Sequence, residues 1–407
     1  MTSNKQRWLA HSLLPLLLTC FTQMASGQTV VTLTNNGDPG NRVDLVIVSE
    51  GYTAGEMTKF ANDVQNLITN FFIQEPYREY QRYFNVYRLE VASNESGADH
   101  PERRPPVVRD TAFDATYNCA GIQRLICVNS SRVDMVVAGV LGPAQRDLVV
   151  VLVNDPEYGG SGGAVPVAST HNEVVELLLH EQGHGFGLLT DEYGGPPPPA
   201  CNASMEPAAA NATRETARAM IKWTAWIDDN TPLPTPTGAA GTPGLYEGAS
   251  YCDRGLFRPT FSSKMRTLGF PFEQINSEQI IRRIYNFVSP IESSSPTEGS
   301  FILDRGATRS FSVTTSQPFT HALDVTWKVD GVSKGSGPTF LLDTAPLSSG
   351  NHTVEVVVRD TTAMVRSDPM EALMESRTWN VTVLELRIPP RPTPRPRNRP
   401  VSRINRQ

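Results

Sequence analysis

His180-Glu181-Gln182-Gly183-His184, closing the apolar run Val174-Val175-Glu176-Leu177-Leu178-Leu179, is the stretch on which the reading of this chain turns. On a helix, residues four apart share one face, so both imidazoles can reach a single metal ion. Glu181 then lies beside that ion, where its carboxylate can take a proton from a bound water. Two histidines at this spacing with a glutamate next to the first point to zinc and to hydrolytic chemistry. Five residues recur by chance in many chains, so the surroundings carry the rest of the argument.

Thr170 followed by Glu173 has capping-box spacing, which predicts a helix starting near His171. Gly185 and Gly187 predict its end. The expected helix has roughly four turns, with its metal face at the C-terminal end. The chain then turns and delivers Asp191-Glu192-Tyr193. A carboxylate returned toward the histidines supplies the third protein ligand of a catalytic zinc, with one position left for water. The plainer reading is an amphipathic core helix whose histidines are merely hydrogen-bonded. The cap, paired histidines, glutamate, glycine turn and acidic pair together outweigh it.

At His180-Glu181-Gln182-Gly183-His184-Gly185-Phe186-Gly187 and Asp191-Glu192-Tyr193 the chain resembles the immunoglobulin-A peptidase family of metzincin-like zinc metalloendopeptidases. Three stretches support the resemblance. They are Val43-Asp44-Leu45-Val46-Ile47-Val48-Ser49-Glu50-Gly51-Tyr52-Thr53, Tyr158-Gly159-Gly160-Ser161-Gly162-Gly163 and Gly244-Leu245-Tyr246-Glu247-Gly248-Ala249. The likeness spans residues 43–383. It implies a metzincin-like α/β (α+β) peptidase domain with a mixed sheet, one zinc ion per chain, and a protein or peptide substrate. It favours Asp191 as third ligand. The commoner metzincin pattern would place that ligand at Thr190, so the offset leaves Glu192 as a competitor. It also implies a methionine in a tight turn beneath the zinc, and Met265 in Ser262-Ser263-Lys264-Met265-Arg266 stands where that is expected. Immunoglobulin A as substrate is implied by the family's name alone.

Residues 1–27 read as a signal peptide. Lys5 and Arg7 form the charged start, Leu13-Leu14-Pro15-Leu16-Leu17-Leu18 the apolar core, and Ala25-Ser26-Gly27 the small-residue cleavage site. The apolar stretch is short for a membrane span, and Thr19 is a poor neighbour for a lipoprotein reading of Cys20. Secreted, periplasmic or extracellular placement without stable membrane insertion is expected; oligomeric state is not readable. Removing Lys5 and Arg7 with no acid takes the formal charge from -6 to -8. A mildly acidic chain gives no electrostatic case for nucleic acid.

Of five cysteines, Cys119, Cys127, Cys201 and Cys252 remain after the signal peptide. An even number in an exported chain suggests disulfides, with Cys119–Cys127 and Cys201–Cys252 the preferred pairing among three connectivities. Cysteine spacing gives a second zinc site no support. Asn94, Asn129, Asn202, Asn211, Asn351 and Asn380 each open a glycosylation sequon, relevant only in a eukaryotic host.

The length suits two domains plus tails. Over residues 28–290 strand-like runs (Leu45-Val46-Ile47-Val48; Leu148-Val149-Val150-Val151-Leu152-Val153) alternate with helical ones (residues 56–72 and the histidine helix), an α/β pattern. Pro196-Pro197-Pro198-Pro199 and residues 231–243 read as loops. A helix from Ser277 to Phe287 closes the domain. Ala164-Val165-Pro166-Val167 reads as an edge strand above the metal, able to take an extended peptide by strand addition.

From residue 297 to 385 short alternating runs are separated by glycine turns, with Asp330-Gly331 a hairpin signal. This predicts a small all-β immunoglobulin-like sandwich with Trp327 in its core. Residues 386–407 form a Pro/Arg-rich tail expected to be disordered.

Zinc held by His180, His184 and an acid calls for Glu181 as general base. An oxyanion donor is also needed, and Tyr251 or Tyr193 has the right chemistry. Two other functions fit fewer of these features. A binding or adhesion protein with a structural or inactive metal site has no use for Glu181. A zinc hydrolase acting on non-peptide amides shares the whole motif.

Overall fold

The computed structural model describes residues 27–195, 203–238 and 241–385. Residues 1–26 of the expected signal peptide, the tetraproline run, Cys20, Cys201, Asn202 and the basic tail fall outside these residues. The described chain is mixed α/β, with four sheets and few helices.

The first part of the chain runs β1 (Thr29–Thr34), β2 (Val43–Glu50), α1 (Met57–Phe71), β3 (Phe84–Glu90), α2 (Ser130–Val140), β4 (Leu148–Val153), β5 (Gly160–Ser161), β6 (Val167–Ser169) and α3 (Val174–Gly185). The strands form one six-stranded sheet in the order β1-β3-β2-β4-β6-β5. The inner strands β3, β2, β4 and β6 are parallel, and β1 and β5 run antiparallel at the two sides. Every residue of β2 is buried, as expected for a parallel strand covered on both faces.

Alternation along the strands sends side chains into two cores. Val43, Leu45 and Ile47 of β2 pack with Phe60, Val64, Leu67 and Phe71 of α1 and with Leu178 and Leu179 of α3. Val46 and Val48 pack on the other face with Val133 and Val137 of α2. The spacing 60, 64, 67, 71 is one helical face, which explains why residues 57–71 form an amphipathic helix.

After α3 come the hairpin β7 (Tyr246–Ala249) and β8 (Cys252–Arg258) and the helix α4 (Glu273–Tyr285). The predicted helix over 277–287 thus begins four residues earlier, at Glu273. Ile280, Ile281 and Ile284 of α4 join the core beneath α3.

The remaining strands are β9 (Ile291–Ser295), β10 (Ser300–Asp304), β11 (Thr308–Thr315), β12 (Asp324–Val329), β13 (Val332–Ser336), β14 (Thr339–Asp343), β15 (Gly350–Arg359) and β16 (Met374–Leu384). They build a five-stranded sheet, β10-β16-β15-β12-β13, and a three-stranded one, β14-β11-β9. One core joins both: Phe311 and Val313 from the smaller sheet meet Trp327, Val356 and Trp379 from the larger. Trp327 and Trp379 stack with ring centroids 5.9 Å apart. Each indole N–H is satisfied by a carbonyl, that of Gly337 or Pro296, at 2.8 Å. Asp330 and Gly331 both lie at positive φ, 51° and 77°, the turn that their sequence predicts.

The two parts meet through a polar cluster. His321 bridges Glu79 and Asp360 at 2.8 Å on each side, and Tyr80 and Tyr285 both donate to Asp360 at 2.7 Å. No helix among the described residues is long and apolar enough to cross a membrane. Cys119 and Cys127 are disulfide-bonded, with Cα atoms 5.7 Å apart. Cys252 is buried, and its expected partner Cys201 lies outside the described residues.

Three local expectations are corrected. The capping box does not form: the Thr170 hydroxyl donates to the Asp155 carbonyl at 3.0 Å, and α3 starts at Val174 with about three turns. The left-handed residue after the helix is Leu188, at φ 55°, rather than a glycine. Gly187 serves a different need, since a Cβ there would stand 2.7 Å from the Gly183 carbonyl oxygen. Finally, Val167 is not at an edge. It lies in β6, hydrogen-bonded between β4 and β5, because β5 folds back and takes the outer position.

Candidate metal centre

Three acceptor atoms meet at one point. His180 Nε2 and His184 Nε2 are 3.2 Å apart, and each lies 3.3 Å from Asp191 Oδ1. The helix sets the first two, four residues apart on one face. The third arrives because the chain reverses after Gly185. Leu189 N–H returns to the Gly183 carbonyl at 2.9 Å, and Asp191 follows it back over the helix end.

The imidazoles are oriented from behind. His180 Nδ1 faces the Lys264 carbonyl at 2.9 Å and His184 Nδ1 the Leu189 carbonyl at 2.9 Å. A carbonyl can only accept, so both Nδ1 atoms carry the proton and both Nε2 lone pairs point at the shared centre. Asp191 Oδ1 is buried and receives no donor. Three ligand-type atoms converging within 3.3 Å, the carboxylate oxygen among them buried without a donor, fit a single cation.

The electrostatics agree. Burial disfavours charge on His184, but Asp191 and the Leu189 carbonyl outweigh it and raise the pKa. Burial alone would raise the Asp191 pKa, yet His180 and His184 hold its carboxyl well below the usual carboxylate range. Both shifts express the same preference for positive charge between these side chains. Two imidazoles and a carboxylate are a zinc donor set, and their mutual spacing fits a single ion.

Asp191 and Glu192 have opposite fates. Glu192 is fully buried and turned away. Its carboxylate accepts from Asn211 Nδ2 at 3.0 Å, Asn276 Nδ2 at 2.9 Å and Ser263 Oγ at 2.6 Å. Its backbone N–H donates to the Met265 carbonyl at 2.9 Å. Glu192 therefore ties the ligand segment to the turn below.

Met265 is fully buried in that turn, under α3. A Cβ on Gly183 would overlap its Sδ and would lie 3.1 Å from its Cε. Glycine inside the histidine motif is what lets the helix sit directly on this methionine. Lys264, also buried, pairs with Glu176 one helical turn before His180, while its carbonyl holds His180. The sequence offered no signal for this pair.

Tyr251 reaches the same centre. Its hydroxyl donates to Asp191 Oδ2 at 2.5 Å, so in this state it braces the carboxylate rather than standing free in the cleft. Ser250 and Tyr251 form the two-residue turn between β7 and β8, at φ 48° and 62°, a left-handed pair without glycine or asparagine. Such conformations persist where surrounding contacts enforce them. Here Ser250 N–H donates to the Asp191 carbonyl at 2.9 Å and Tyr251 N–H to the Tyr193 carbonyl at 3.2 Å. Tyr193 packs edge-on against Tyr251, with ring centroids 5.3 Å apart.

A cleft of about 690 Å³ opens over the centre, lined by Glu181, both histidines, Tyr193, Tyr251 and the Gly160–Gly163 backbone. A Cβ on Gly162 would collide with the Glu181 carboxylate, so this backbone and the carboxylate lie in contact range. The outer strand β5 is itself partly covered. Gly160 N–H donates to the Arg124 carbonyl at 3.1 Å, and Ile126 N–H donates to the Gly160 carbonyl at 3.4 Å. The backbone facing the cleft on this side is that of the glycines after Ser161.

His100, Glu102 and Glu157 form a second grouping of ligand-type atoms. There Arg103 already neutralises Glu157 at 2.7 Å, and Asp155 takes the other imidazole nitrogen at 2.9 Å.

No curated protein sequence matches this chain. Among solved structures, the fibronectin(III)-like modules of Clostridium thermocellum CbhA share 15% identity over 23% of this chain and 96% of theirs, with a TM-score of 0.17. The N-terminal four Ig domains of Dscam1 isoform 4.44 share 16% over 22% of this chain and 19% of theirs, with a TM-score of 0.16. Likenesses at these scores carry no argument. The sequence model of the IgA Peptidase M64 family matches residues 31–240, a span that holds β2 to β6 of the sheet, most of β1, α3 and the His180–His184–Asp191 grouping. The chain is a peptidase and belongs to the IgA peptidase M64 family.

Proposed function

We propose that this protein is a secreted, zinc-dependent endopeptidase of metzincin-like fold. In this reading residues 1–27 are a cleaved signal peptide, 28–290 the peptidase domain, 297–385 an immunoglobulin-like sandwich and 386–407 a tail. His180, His184 and Asp191 hold one zinc ion. The observation that carries the reading is the trio of ligand-type atoms, 3.2–3.3 Å apart, with both imidazole Nδ1 atoms bonded to carbonyls.

Zinc in such a site lowers the pKa of a bound water and polarises a carbonyl. Glu181 lines the cleft beside the histidines and takes the proton of the attacking water. As the water oxygen bonds to the peptide carbon and the C–N bond breaks, Glu181 returns that proton to the departing amine. Tyr251 supplies a hydroxyl donor at the cleft wall; handing its hydrogen bond from Asp191 to the developing oxyanion would stabilise the transition state. The Gly162–Gly163 backbone, left bare by its missing side chains, accommodates an extended peptide.

Zinc titration of metal-free protein tests the site. One ion per chain is expected for wild type and Glu181→Gln, with loss of stoichiometric binding in His180→Ala and His184→Ala. Unchanged binding in both histidine variants would sink the assignment.

A further inference from the structure

We propose that the cleft selects peptides by a carboxylate, through Arg266 and Arg124. This inference rests on the peptidase reading and adds a substrate class to it.

The charge inventory of the cleft is unusual for a protein with formal net charge -6. Its charged lining consists of Arg124, Arg266, the two histidines, Glu181 and Asp191. Asp191 is bound up with the histidines and Tyr251, and Glu181 is the base, so no carboxylate is left for the arginines. Arg266 is half-buried and directly follows Met265. Its Nη1 donates to the Phe261 carbonyl at 2.6 Å, and its guanidinium lies 5.2 Å from the centre of the Phe261 ring.

A second cation stands behind it. Arg258 is buried and donates from Nε and Nη2 to the same Phe261 carbonyl, at 3.2 Å each. Its Nη1 donates to the Glu247 and Gly248 carbonyls. Every acceptor found for the two guanidiniums among the described residues is thus a backbone carbonyl. Burial, and next the neighbouring Arg266, bring the Arg258 pKa down to about 10 against the opposing pull of the buried Glu192 carboxylate. Nor can the undescribed segments supply a side-chain acid, because residues 1–26, 196–202, 239–240 and 386–407 contain no aspartate or glutamate.

The two arginines share one carbonyl and neither forms an ion pair among the described residues; the buried Glu192 carboxylate acts on Arg258 through space, so the charge left facing the cleft is that of Arg266. Partly buried charge of this kind is normally paired. Guanidinium geometry matches a carboxylate.

Arg124 presents a further cation from a rigid mount. Its loop is closed by the Cys119–Cys127 disulfide and bonded along β5, with Ser161 Oγ donating to the Ile126 carbonyl at 2.7 Å. The Arg124 side chain is exposed and forms no ion pair among the described residues. A peptide lying along Gly162 therefore passes cations on the β5 side and at the Met265 turn. The complementary group is a carboxylate, whether an Asp or Glu side chain near the scissile bond or the peptide's own C-terminus.

The test uses matched fluorogenic peptides bearing Glu, Gln or Lys beside the cleavage site, each as free acid and as C-terminal amide. Turnover is measured with the zinc-loaded wild type, and binding by fluorescence anisotropy with Glu181→Gln. A charge-assisted contact predicts Glu over Gln by roughly 10–100-fold in kcat/KM and in affinity. Added salt should shrink the ratio, and Lys should be worst. If the C-terminus is the anchor, amidation rather than Gln removes the advantage.

Arg266→Gln and the exposed Arg124→Gln should each lower the ratio, and the double substitution should abolish it. Because Arg124 is exposed, its variant keeps the test open if Arg266→Gln folds poorly. Equal handling of acidic, neutral and amidated peptides, or a preference that survives the double substitution, overturns the proposal. Cleavage of no peptide, with acidic peptides still preferred in the binding arm, would refute the peptidase mechanism while leaving carboxylate recognition standing.

Discussion

Gly183→Ala offers a sharp test of how the histidine helix is seated. In an open helical site, alanine is better than glycine by about 0.8–1.0 kcal/mol. Gly139 in α2 is such a site, with nothing within 4 Å of an added Cβ, so Gly139→Ala should stabilise by up to that amount. At Gly183 the same methyl overlaps Met265 Sδ and stands 3.1 Å from Met265 Cε and 3.2 Å from Phe272 Cε1. Met265 and Phe272 are both fully buried, so neither can swing into solvent. Overpacking a closed core costs about 1–3 kcal/mol. Set against the propensity gain, this leaves a loss of up to about 2 kcal/mol. Thermal unfolding of the metal-free variants should therefore move in opposite directions, Gly139→Ala upward and Gly183→Ala downward. Zinc affinity should also fall in Gly183→Ala, because the methionine turn carries the Lys264 carbonyl that orients His180. A Gly183→Ala protein as stable as Gly139→Ala would refute the seating.

Asp191→Asn should weaken zinc binding strongly, whereas Glu192→Gln should act mainly on stability, since Glu192 ties Asn211, Ser263 and Asn276 together; a larger zinc defect in Glu192→Gln would reverse the assignment. Tyr251→Phe removes the donor to Asp191 Oδ2 and should reduce zinc affinity or turnover by about 10–100-fold, measured by competition with a chromogenic chelator and by initial rates; unchanged values in both would contradict its role. The contact of His321 with Glu79 predicts a pH window. Burial opposes it, but Asp360 and Glu79 raise the His321 pKa above its ordinary 6.5, so that stabilisation is complete below 6.5 and lost as pH rises through the raised value. Burial likewise opposes the shift of Glu79, but Thr320 and His321 lower its pKa from 4.5, so its contribution is complete above 4.5 and lost as pH falls through the lowered value. Attachment of the C-terminal sheets should be firmest between about 4.5 and 6.5, and His321→Ala should flatten the alkaline side of a stability profile; an unchanged profile would exclude the contact as its cause.

Much of the framework is legible because it is local. Leu148-Val149-Val150-Val151-Leu152-Val153 is β4 to the residue, a continuous apolar run that only a doubly covered strand explains. Asp330-Gly331 gives its turn because few other residues tolerate both dihedrals. Capping was less legible, since the Thr170 hydroxyl is held by the Asp155 carbonyl fifteen positions away and makes no cap to α3. The place of Val167 depended on β5 folding back, a pairing of very short strands with no periodicity to announce it. Asp191 and Glu192 are adjacent acids in the sequence, and only tertiary contacts separate a carboxylate on the histidines from one sealed among amides. The arginine pair at Phe261 was equally hidden, because nothing in Arg258 or Arg266 alone shows that the two guanidiniums share one backbone carbonyl.

On the proposed mechanism, hydrolysis depends on one metal ion held at His180, His184 and Asp191, with Glu181 as base. The most direct measurement is peptide hydrolysis by wild type and Glu181→Gln before chelation, after chelation, and after return of one equivalent of zinc. Wild type should lose its activity with the metal and regain it with zinc. Glu181→Gln should bind the ion equally well and remain slower by on the order of 10²–10⁴. Hydrolysis that persists in metal-free protein, or runs at the wild-type rate in Glu181→Gln, would contradict the account.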